Sequence, residues 1–380
     1  MHLIDTTMFF CPRGGGVRRY LLAKQAWLQT HAPQIRHTLL VPHPQPGLAN
    51  LDTCAALGLS LGNGYRFPLS RRGWREALLQ RAPDLIEAGD PYIPGWVARD
   101  AGQRLGIPVA AFFHSDLPRM LRERIGAWTT RPAQAYLRRL YRGFDIVYAP
   151  SRIMLEKLES LGIGRTALQP LGVDTNVFHP ACRNERLRMQ LGLAPETRLL
   201  VYAGRFAREK RLDVLIGAAA RLGRPYHLLL IGGDKLERLN AQVTVLPYEP
   251  VSVRLARLVA SCDAFIHAGA EETFGLVLIE AMACGIPVIA VASGGLAELV
   301  DDDVGVLAPV SQAKALGEAV TALFERDMRA LGAAARRRAE HLYSWDSAFL
   351  RLLRSYAHLR GERTASWAAR RDVLLSVDRP

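Results

Sequence analysis

The sequence predicts an α/β protein with two doubly wound parallel sheets. Short apolar runs alternate with helical patterns along the 380 residues, and a single break near residues 171–184 divides this alternation into two halves. In the first half the apolar runs are HTLLVP (37–42), DLIEAG (84–89), PVAAFFH (108–114) and DIVYAP (145–150). Runs of this kind, separated by helices, indicate a parallel sheet covered on both faces.

The second half repeats the pattern after a segment rich in turn-forming residues. LGVDTNVFHPACRN (171–184), which contains Pro180 and follows Pro170, interrupts the rhythm. The later apolar runs are RLLVYAG (198–204), HLLLIGG (227–233), DAFIHAG (263–269) and PVIAVAS (287–293). We therefore expect an N-terminal domain over residues 1–175 and a C-terminal domain over 176–349.

The end of the chain has a helical pattern. We expect a helix over about residues 350–380 that packs back on the first domain. Trp345, Leu350 and Leu353 have the spacing of one apolar helix face.

Composition places the chain among globular proteins, with 49% hydrophobic and 22% charged residues. The N-terminal segment carries Asp5 and lacks a basic region followed by a long apolar stretch, so we expect no signal peptide. No window of roughly 18 apolar residues indicates a transmembrane helix. The five cysteines are scattered and form no CxxC pair, which argues against a disulfide framework or a zinc site and favours the cytoplasm.

The net charge of +13 is concentrated in the N-terminal half, where residues 1–180 hold 22 Lys and Arg against 13 Asp and Glu. Such an excess indicates an anionic partner: nucleic acid, a phosphorylated substrate or a membrane surface. Two basic stretches, residues 65–81 and 117–142, mix arginine with Trp, Tyr, Phe and Leu. That mixture favours peripheral binding to an anionic bilayer, although each stretch alone also fits a solvated helix face. No nucleic-acid-binding module is recognisable, so we expect no nucleic-acid partner.

The segment AEETFGLVLIEAMACGIPVIAVASGG (270–295) contains the strongest functional signal. Glu280 is the only charged residue between Phe274 and Ala292, so its carboxylate is expected to be buried and to need hydrogen-bond donors. Ribose hydroxyls would supply them; a core arginine is the alternative. Glu272 precedes a helix expected to start at Phe274 and Gly275, whose free N–H groups are suited to phosphate or sugar oxygens. Alternatively, Glu272 only caps that helix.

A second signal is GRFAREK (204–210), which follows the apolar run RLLVYAG and precedes a helical pattern. Arg205 and Lys210 are therefore predicted at the carboxyl end of a strand, where doubly wound sheets bind ligands. Two cations there suit a diphosphate, whereas the plainer interpretation is a solvated loop. The acidic run Asp301 to Asp303 lies between a helix and an apolar run, and we interpret it as a turn and not as a metal site.

A third signal is the glycine-rich turn RGGGVRRYL (13–21), which leads into a helix beginning near Val17. Glycines allow a backbone to approach a ligand closely. The turn is not a GxGxxG fingerprint, because Arg19 occupies the position of the third glycine. A plain tight turn is the alternative.

Together these patterns resemble the retaining glycosyltransferases of the large "group 1" family. The resemblance covers nearly the whole chain and depends on GGGVRRYL (14–21), PDLIEAGDP (83–91), GIPVAAFFHSD (106–116), GVDTNVFHP (172–180), GRFAREKRLDVLI (204–216) and ETFGLVLIEAMACGIPVIA (272–290). It implies the GT-B fold, in which two Rossmann-like, doubly wound domains face a cleft.

The resemblance also implies roles for residues of the second domain. Arg205 and Lys210 match the pair that neutralises the donor diphosphate. Glu272 matches the residue that touches the hydroxyls of the donor sugar, and Glu280 matches the ribose ligand. The backbone N–H groups of Phe274, Gly275, Leu276 and Val277 would hold sugar and phosphate oxygens.

In the first domain, Gly15 and Gly16 match the loop that lies against the donor phosphates and the acceptor. His114 matches a histidine that points at the transferred sugar. One departure concerns the segment before Glu272, where HAGA (267–270) replaces the family's usual serine or proline.

The implied activity is retaining, metal-independent hexosyl transfer without a cofactor. The donor would be a GDP- or UDP-sugar, with mannose from GDP-mannose favoured, because FFHSDLPRM and IHAGAEETFGLVLIEAMACG are similar to bacterial lipid mannosyltransferases. The acceptor would be a membrane lipid or an envelope saccharide, and the protein would be cytoplasmic or peripheral on the inner face of the cell membrane. The alternatives are a UDP-sugar-dependent transferase with a soluble acceptor, a sugar-nucleotide epimerase, and a non-catalytic protein that binds sugar nucleotides or polyanions.

Overall fold

A computed structural model describes residues 1–11, 15–42, 52–55, 58–60, 66–68 and 70–361 of the chain. The chain divides into two compact units. Unit 1 comprises residues 1–170 with the segment from Ala348 onward, and unit 2 comprises residues 171–347. Among the described residues, no helix is both long enough and apolar enough to cross a membrane.

The main sheet of unit 1 is parallel, and its described strands are in the order β3-β2-β1-β6-β7-β8-β9. A short antiparallel hairpin, β4–β5, forms a separate sheet. The strands are β1 (His2–Thr6), β2 (Arg36–Val41), β3 (Asp52–Ala55), β4 (Gly58–Ser60), β5 (Arg66–Pro68), β6 (Leu85–Ala88), β7 (Val109–Phe112), β8 (Ile146–Ala149) and β9 (Thr166–Leu168). The four apolar runs predicted for this half are β2, β6, β7 and β8.

Helices accompany this sheet and bury apolar side chains in the core of unit 1. They are α1 (Gly16–His31), α2 (Arg71–Arg81), α3 (Ile93–Leu105), α4 (Leu117–Arg124), α5 (Thr130–Tyr141) and α6 (Arg152–Ser160). The hydroxyl of Ser70 accepts a hydrogen bond from the Gly73 N–H and so caps the start of α2. Trp74 of α2 is fully buried, and its indole N–H donates to the hydroxyl of Thr6 at 2.7 Å. This aromatic side chain of the first basic stretch therefore belongs to the core and not to a surface.

Unit 2 contains the second predicted sheet. Its described strands are in the order β12-β13-β11-β10-β14-β15-β16, and all pairs are parallel except β12–β13. The strands are β10 (Arg198–Ala203), β11 (Tyr226–Gly233), β12 (Glu237–Asn240), β13 (Val243–Pro247), β14 (Ala264–Ile266), β15 (Val288–Val291) and β16 (Gly305–Ala308). The four predicted apolar runs are β10, β11, β14 and β15.

The helices of unit 2 are α7 (Leu187–Gln190), α8 (Leu212–Leu222), α9 (Ser252–Ala260), α10 (Leu276–Ala283), α11 (Ala313–Phe324) and α12 (Met328–Tyr343). Helix α13 (Trp345–Leu359) begins in unit 2 and continues into unit 1. The buried face of α13 is formed by Ala348, Phe349, Leu352, Leu353 and Tyr356. Of the residues on the predicted apolar face, Leu353 is buried, and Trp345 and Leu350 are half-buried. The helix also ends at Leu359, and residues 362–380 of the predicted helix lie outside the described residues.

A buried polar cluster connects α13 to the sheet of unit 1. Lys24, Asp5 and Glu87 are each at most 2% exposed. The ammonium of Lys24 donates to Asp5 Oδ1 (2.9 Å), to Glu87 Oε1 (3.1 Å) and to the hydroxyl of Tyr356 (2.8 Å). Burial raises the pKa of Glu87 to about 7. For Asp5 the effect of burial is outweighed by Lys24 and His37, which hold its pKa well below the usual range.

Lys24→Met should lower the free energy of unfolding by about 3 kcal/mol or more, because it removes the cation between two buried carboxylates. Urea unfolding measures the effect. The matched control is Lys314→Ala, since Lys314 is 72% exposed in a pair with Glu318, and it should change stability by less than about 1 kcal/mol. Equal, small effects of both substitutions would contradict a structural role for the buried lysine.

Candidate active site

Unit 2 has a topological switch point between β10 and β14. From β10 the chain continues to β11 on one side, whereas β14, which pairs with the other edge of β10, is reached only after β13 and α9. Connections that diverge in this way leave a crevice at the carboxyl ends of the two strands, where doubly wound sheets bind ligands. The loop after β10 contains Arg205 and Lys210, and the segment after β14 contains His267 and Glu272.

Lys210 and Glu272 meet at this switch point. The ammonium of Lys210 donates to Glu272 Oε1 in an ion pair, and the two side chains are 18% and 19% exposed. Burial would raise the pKa of Glu272, but Lys210 and His267 outweigh it and hold this pKa well below the usual range. Glu272 is therefore an ionised hydrogen-bond acceptor at neutral pH. The structure brings together these two of the predicted site residues.

His267 is a third member of this cluster, and sequence reasoning missed it. Its side chain is buried, its Nδ1 accepts a hydrogen bond from the Gly269 N–H at 3.0 Å, and its Nε2 lies 3.2 Å from Glu272 Oε1. In the sequence, His267 is part of HAGA (267–270), which was interpreted only as a departure from the family pattern. The available signal was a histidine directly after an apolar strand, at the edge where ligands bind.

Backbone contacts hold the Glu272 loop. The N–H of Gly295 donates to the carbonyl of Glu272 at 2.8 Å, and the Ser293 hydroxyl donates to the carbonyl of Ala270 at 2.8 Å. A Cβ on Gly294, where φ is +62°, would lie 2.8 Å from the Glu272 carbonyl oxygen. The two glycines therefore let one loop pack directly on the other, which restricts the position of Glu272.

The helix after Glu272 is α10. It begins at Leu276, directly after the predicted start at Phe274 and Gly275. Gly275 has φ +109°, and a Cβ there would lie 2.4 Å from Leu296 Cδ2. Phe274 is buried, with its ring 5.8 Å from that of Tyr343. The polar groups available at this end are therefore backbone groups, and the helix dipole makes the site favourable for an anion.

Glu280 lies inside α10 and is 7% exposed, so the prediction that it is buried is confirmed. Burial, with a contribution from the Glu280 carboxylate, raises the pKa of the Cys284 thiol well above its usual range. The N–H of Cys284, the residue after α10, donates to the carbonyl of Glu280 at 3.1 Å.

Arg205 differs from Lys210 in exposure. Its side chain is exposed, and its backbone carbonyl accepts a hydrogen bond from the hydroxyl of Tyr202 at 3.2 Å. Among the contacts of the described residues, Lys210 is the basic side chain that pairs with Glu272. Both predicted cations thus follow β10. Lys210 forms an ion pair with Glu272, and the Arg205 side chain is exposed.

Unit 1 has a corresponding switch point between β1 and β6. Gly15 precedes α1, and Gly16 is its first residue. A Cβ on Gly15 would meet no atom of the described residues within 4 Å. Arg13 and Gly14 of the glycine-rich turn lie outside the described residues.

His114 follows β7 at the same edge of the unit 1 sheet. Its ring stacks on Phe112, with centroids 4.0 Å apart and planes 2° from parallel, and it lies 5.2 Å from the ring of Tyr20. Burial lowers the pKa of His114 to about 3. The ring is therefore neutral at physiological pH. It can donate one hydrogen bond and accept another, but it does not carry the extra proton of an imidazolium.

Asp90, after β6, is a further polar residue that sequence reasoning left without a role. Its carboxylate accepts hydrogen bonds from the Met8 N–H (2.7 Å), the Thr7 hydroxyl (2.9 Å) and the Tyr92 N–H (3.1 Å). Burial raises its pKa to about 6. Asp90 therefore joins the segments that directly follow β1 and β6.

The acidic run at 301–303 forms a turn. The N–H of Asp303 donates to Asp301 Oδ1 at 3.0 Å, and Arg338 pairs with Asp301 at 2.8 Å and with Asp303 at 3.7 Å. In the part of the chain that the structure describes, no group of three or more His, Cys, Asp or Glu side chains is arranged to hold a metal ion.

The sequence of the chain matches two family models and several known proteins. The family model "Glycosyl transferases group 1" matches residues 183–339, and "Glycosyltransferase Family 4" matches residues 14–177. The chain is 36% identical over 294 residues to a GDP-mannose-dependent alpha-mannosyltransferase of Mycobacterium tuberculosis (strain CDC 1551 / Oshkosh), covering 75% of this chain and 76% of that protein. It is 30% identical over 376 residues to a GDP-mannose-dependent alpha-(1-6)-phosphatidylinositol dimannoside mannosyltransferase of M. tuberculosis (strain ATCC 25177 / H37Ra), covering 93% and 95%.

Solved structures match the fold over most of the chain. Sucrose-phosphate synthase from Thermosynechococcus elongatus superposes with a TM-score of 0.77 at 23% identity, covering 94% of this chain and 99% of that chain. Anabaena HepE in complex with UDP-glucose superposes with a TM-score of 0.74 at 19% identity, covering 94% and 100%. The predicted pair of Rossmann-like sheets is confirmed by the structure and by these neighbours.

Proposed function

Because the chain belongs to the glycosyl transferases group 1 family and is a glycosyltransferase with the GT-B fold, we propose that it transfers mannose from GDP-mannose with retention of the anomeric configuration. The acceptor is a membrane lipid or an envelope saccharide. The observation that carries this proposal is the Lys210–Glu272 pair at the switch point of unit 2. The relatives named for GDP-mannose support the donor, and the one named for a phosphatidylinositol dimannoside supports a lipid acceptor.

The charges of the site suit the departure of a nucleoside diphosphate. As the bond between the sugar and the diphosphate breaks, negative charge develops on the phosphate oxygens. Lys210, Arg205 and the N-terminus of α10 would stabilise that charge without a divalent ion. Within this proposal the diphosphate competes with Glu272 for Lys210, and the exposed Arg205 side chain moves onto the phosphates.

The remaining assignments follow the chemistry of each group. Glu272, an ionised acceptor, binds hydroxyls of the donor sugar, and Glu280 binds the ribose hydroxyls. The backbone N–H groups of residues 274–277 bind phosphate and sugar oxygens. In unit 1, Gly15 and Gly16 allow a phosphate or acceptor oxygen to approach the backbone, and the neutral His114 forms a hydrogen bond with the transferred sugar.

Lys210→Ala should weaken GDP-mannose binding by about 10- to 100-fold, because a charge-assisted contact worth about 1.5 to 3 kcal/mol is lost. Isothermal calorimetry in EDTA measures it, with Lys314→Ala as the control for an exposed lysine in an ion pair. Wild type should bind GDP-mannose more tightly than UDP-glucose.

Three outcomes of this titration contradict the proposal at different points. Tighter binding of UDP-glucose than of GDP-mannose would contradict the assignment of GDP-mannose as the donor. A requirement for Mg²⁺ or Mn²⁺ would overturn the metal-independent account. Unchanged affinity in folded Lys210→Ala would remove this lysine from the donor site.

We further propose that unit 1 binds an anionic membrane surface. The α4–α5 surface, defined by the exposed side chains of Arg122, Arg124, Ile125, Trp128 and Arg131, surrounds the junction of α4 and α5. Trp128 is 73% exposed and Ile125 is 58% exposed. An exposed indole among arginines has the chemistry of an interfacial anchor, with the ring at the headgroup boundary and the charges at the phosphates.

Helix α2, the other basic stretch, contributes less to this proposal. Its Trp74 is buried, Arg72 pairs with Glu76 at 2.8 Å, and Arg75 pairs with Asp100 at 3.2 Å. The α4–α5 surface therefore supplies both the apolar anchor and the charge, and α2 supplies charge alone. Within this proposal the protein is located at the inner face of the cell membrane.

Vesicle sedimentation tests the membrane proposal. Replacing Arg122, Arg124 and Arg131 together with Gln should weaken binding to phosphatidylserine vesicles by about 100-fold at low salt, since each arginine contributes about 1 kcal/mol. Trp128→Ala should also weaken binding, whereas Met189→Ala, at a side chain 69% exposed in unit 2, should not. Wild-type binding that is absent, or that persists in both variants and in high salt, would contradict the proposal.

A further inference from the structure

The backbone contact of the His267 imidazole selects one tautomer of the neutral ring. Its Nδ1 accepts the N–H of Gly269 at 3.0 Å. A backbone amide only donates, so Nδ1 carries no proton and the proton of the neutral ring is on Nε2. His267 therefore presents a single N–H donor on the side of the ring away from Gly269.

The nitrogen that carries this donor lies next to Glu272. Nε2 of His267 lies 3.2 Å from Glu272 Oε1, yet among the described residues it has no aligned hydrogen-bond partner. The side chain of His267 is 1% exposed, so water does not reach it readily. A buried donor without an aligned acceptor is unfavourable, and a small rotation of the Glu272 carboxylate would satisfy it.

The two partners of Glu272 differ in their freedom to move. Lys210 has a flexible side chain that is 18% exposed, and it occupies the same oxygen, Oε1. His267 is clamped at its other nitrogen, and a Cβ added to Gly269 would lie 2.8 Å from its Cε1. The Lys210 contact can therefore be exchanged for a ligand, whereas the His267 contact remains with the fold.

We propose that His267 is a positioning residue that holds Glu272 in place when the donor diphosphate takes Lys210. In the ligand-free state, Lys210 supplies the positive charge that orients Glu272. When Lys210 moves to the phosphates, the Nε2–H of His267 becomes the donor that keeps the carboxylate directed at the sugar. The role of Glu272 in this account depends on the proposed function; the geometry of His267 does not.

The packing of Gly269 also supports the assignment of His267 as a positioning residue. A Cβ at this position would also lie 2.8 Å from the backbone carbonyl oxygen of Glu209, the residue before Lys210. The loop after β14 therefore packs between the histidine ring and the loop that carries Lys210. His267, Gly269 and Lys210 form one packed unit around Glu272.

Substitution of His267 by Asn and by Gln distinguishes the roles of its two ring nitrogens. His267→Asn places an acceptor near the position of Nδ1 and removes the donor at Nε2, whereas His267→Gln places an amide donor near Nε2. We expect His267→Asn to lower kcat for GDP release from GDP-mannose by about tenfold with a donor KM within about threefold of wild type. His267→Gln should recover part of this loss.

Repeating His267→Asn in a Glu272→Gln background distinguishes positioning from a general structural role. If His267 acts through Glu272, its substitution should change kcat by less than about twofold in that background, because coupled residues are not additive. The same tenfold loss in both backgrounds would overturn the proposal. If His267→Asn does not fold, His267→Ala, which also removes the Nε2 donor, takes its place in the same comparison.

A measurement without donor keeps this proposal separate from the proposed function. The ¹⁵N spectrum of histidine-labelled wild type, with the His267 signals identified among the 10 histidines by their loss in a His267 variant, reports the protonation of each nitrogen. We expect a proton on Nε2 and none on Nδ1. A proton on Nδ1, or a charged ring at neutral pH, would overturn the proposal, whereas failure of wild type to bind GDP-mannose would overturn only the donor assignment.

Discussion

The ion pair between Lys210 and Glu272 is the constraint on which the candidate site depends. It joins residues 62 positions apart, one after β10 and one after β14, at the point where the strand order of unit 2 reverses. The neighbouring features keep this pair in place: His267 closes one side of the carboxylate, and the glycines at 294 and 295 hold its backbone. Under the proposed function, a diphosphate that enters the crevice would meet a lysine already positioned there, and its binding would exchange one anion for another.

Unit 1 uses the same topology with a different distribution of charge. Its buried Lys24 satisfies Asp5 and Glu87 inside the core, where no ligand is needed to complete the contacts. The polar groups at the strand ends, Asp90 and His114, are both shifted by burial toward the neutral form, with pKa values of about 6 and about 3. The strand ends of unit 1 therefore carry a hydrogen-bonded Asp90 and a neutral His114, whereas those of unit 2 carry the ionised pair of Lys210 and Glu272.

The sequence was sufficient for the fold class, because both sheets are rich in parallel strands whose apolar runs are continuous. Strands such as β12, with every residue exposed, and β9, with three half-buried residues, have no such run and were missed. The positions of Lys210 and Glu272 after their strands were predictable, but their contact was not, since it depends on strand order. His267 and Asp90 were missed because their partners are mainly backbone groups or distant in sequence, and Trp74 shows that an aromatic residue in a basic stretch can belong to the core.

The central claim is that Glu272 contacts the reacting sugar and Glu280 the ribose, and steady-state kinetics of two matched substitutions test it most directly. Interactions with the sugar can strengthen as it approaches the transition state, whereas ribose contacts stay the same. Glu272→Gln should therefore lower kcat with little change in the KM for GDP-mannose, and Glu280→Gln should mainly raise that KM. A wild-type kcat in folded Glu272→Gln, or the same pattern in both variants, would contradict the account.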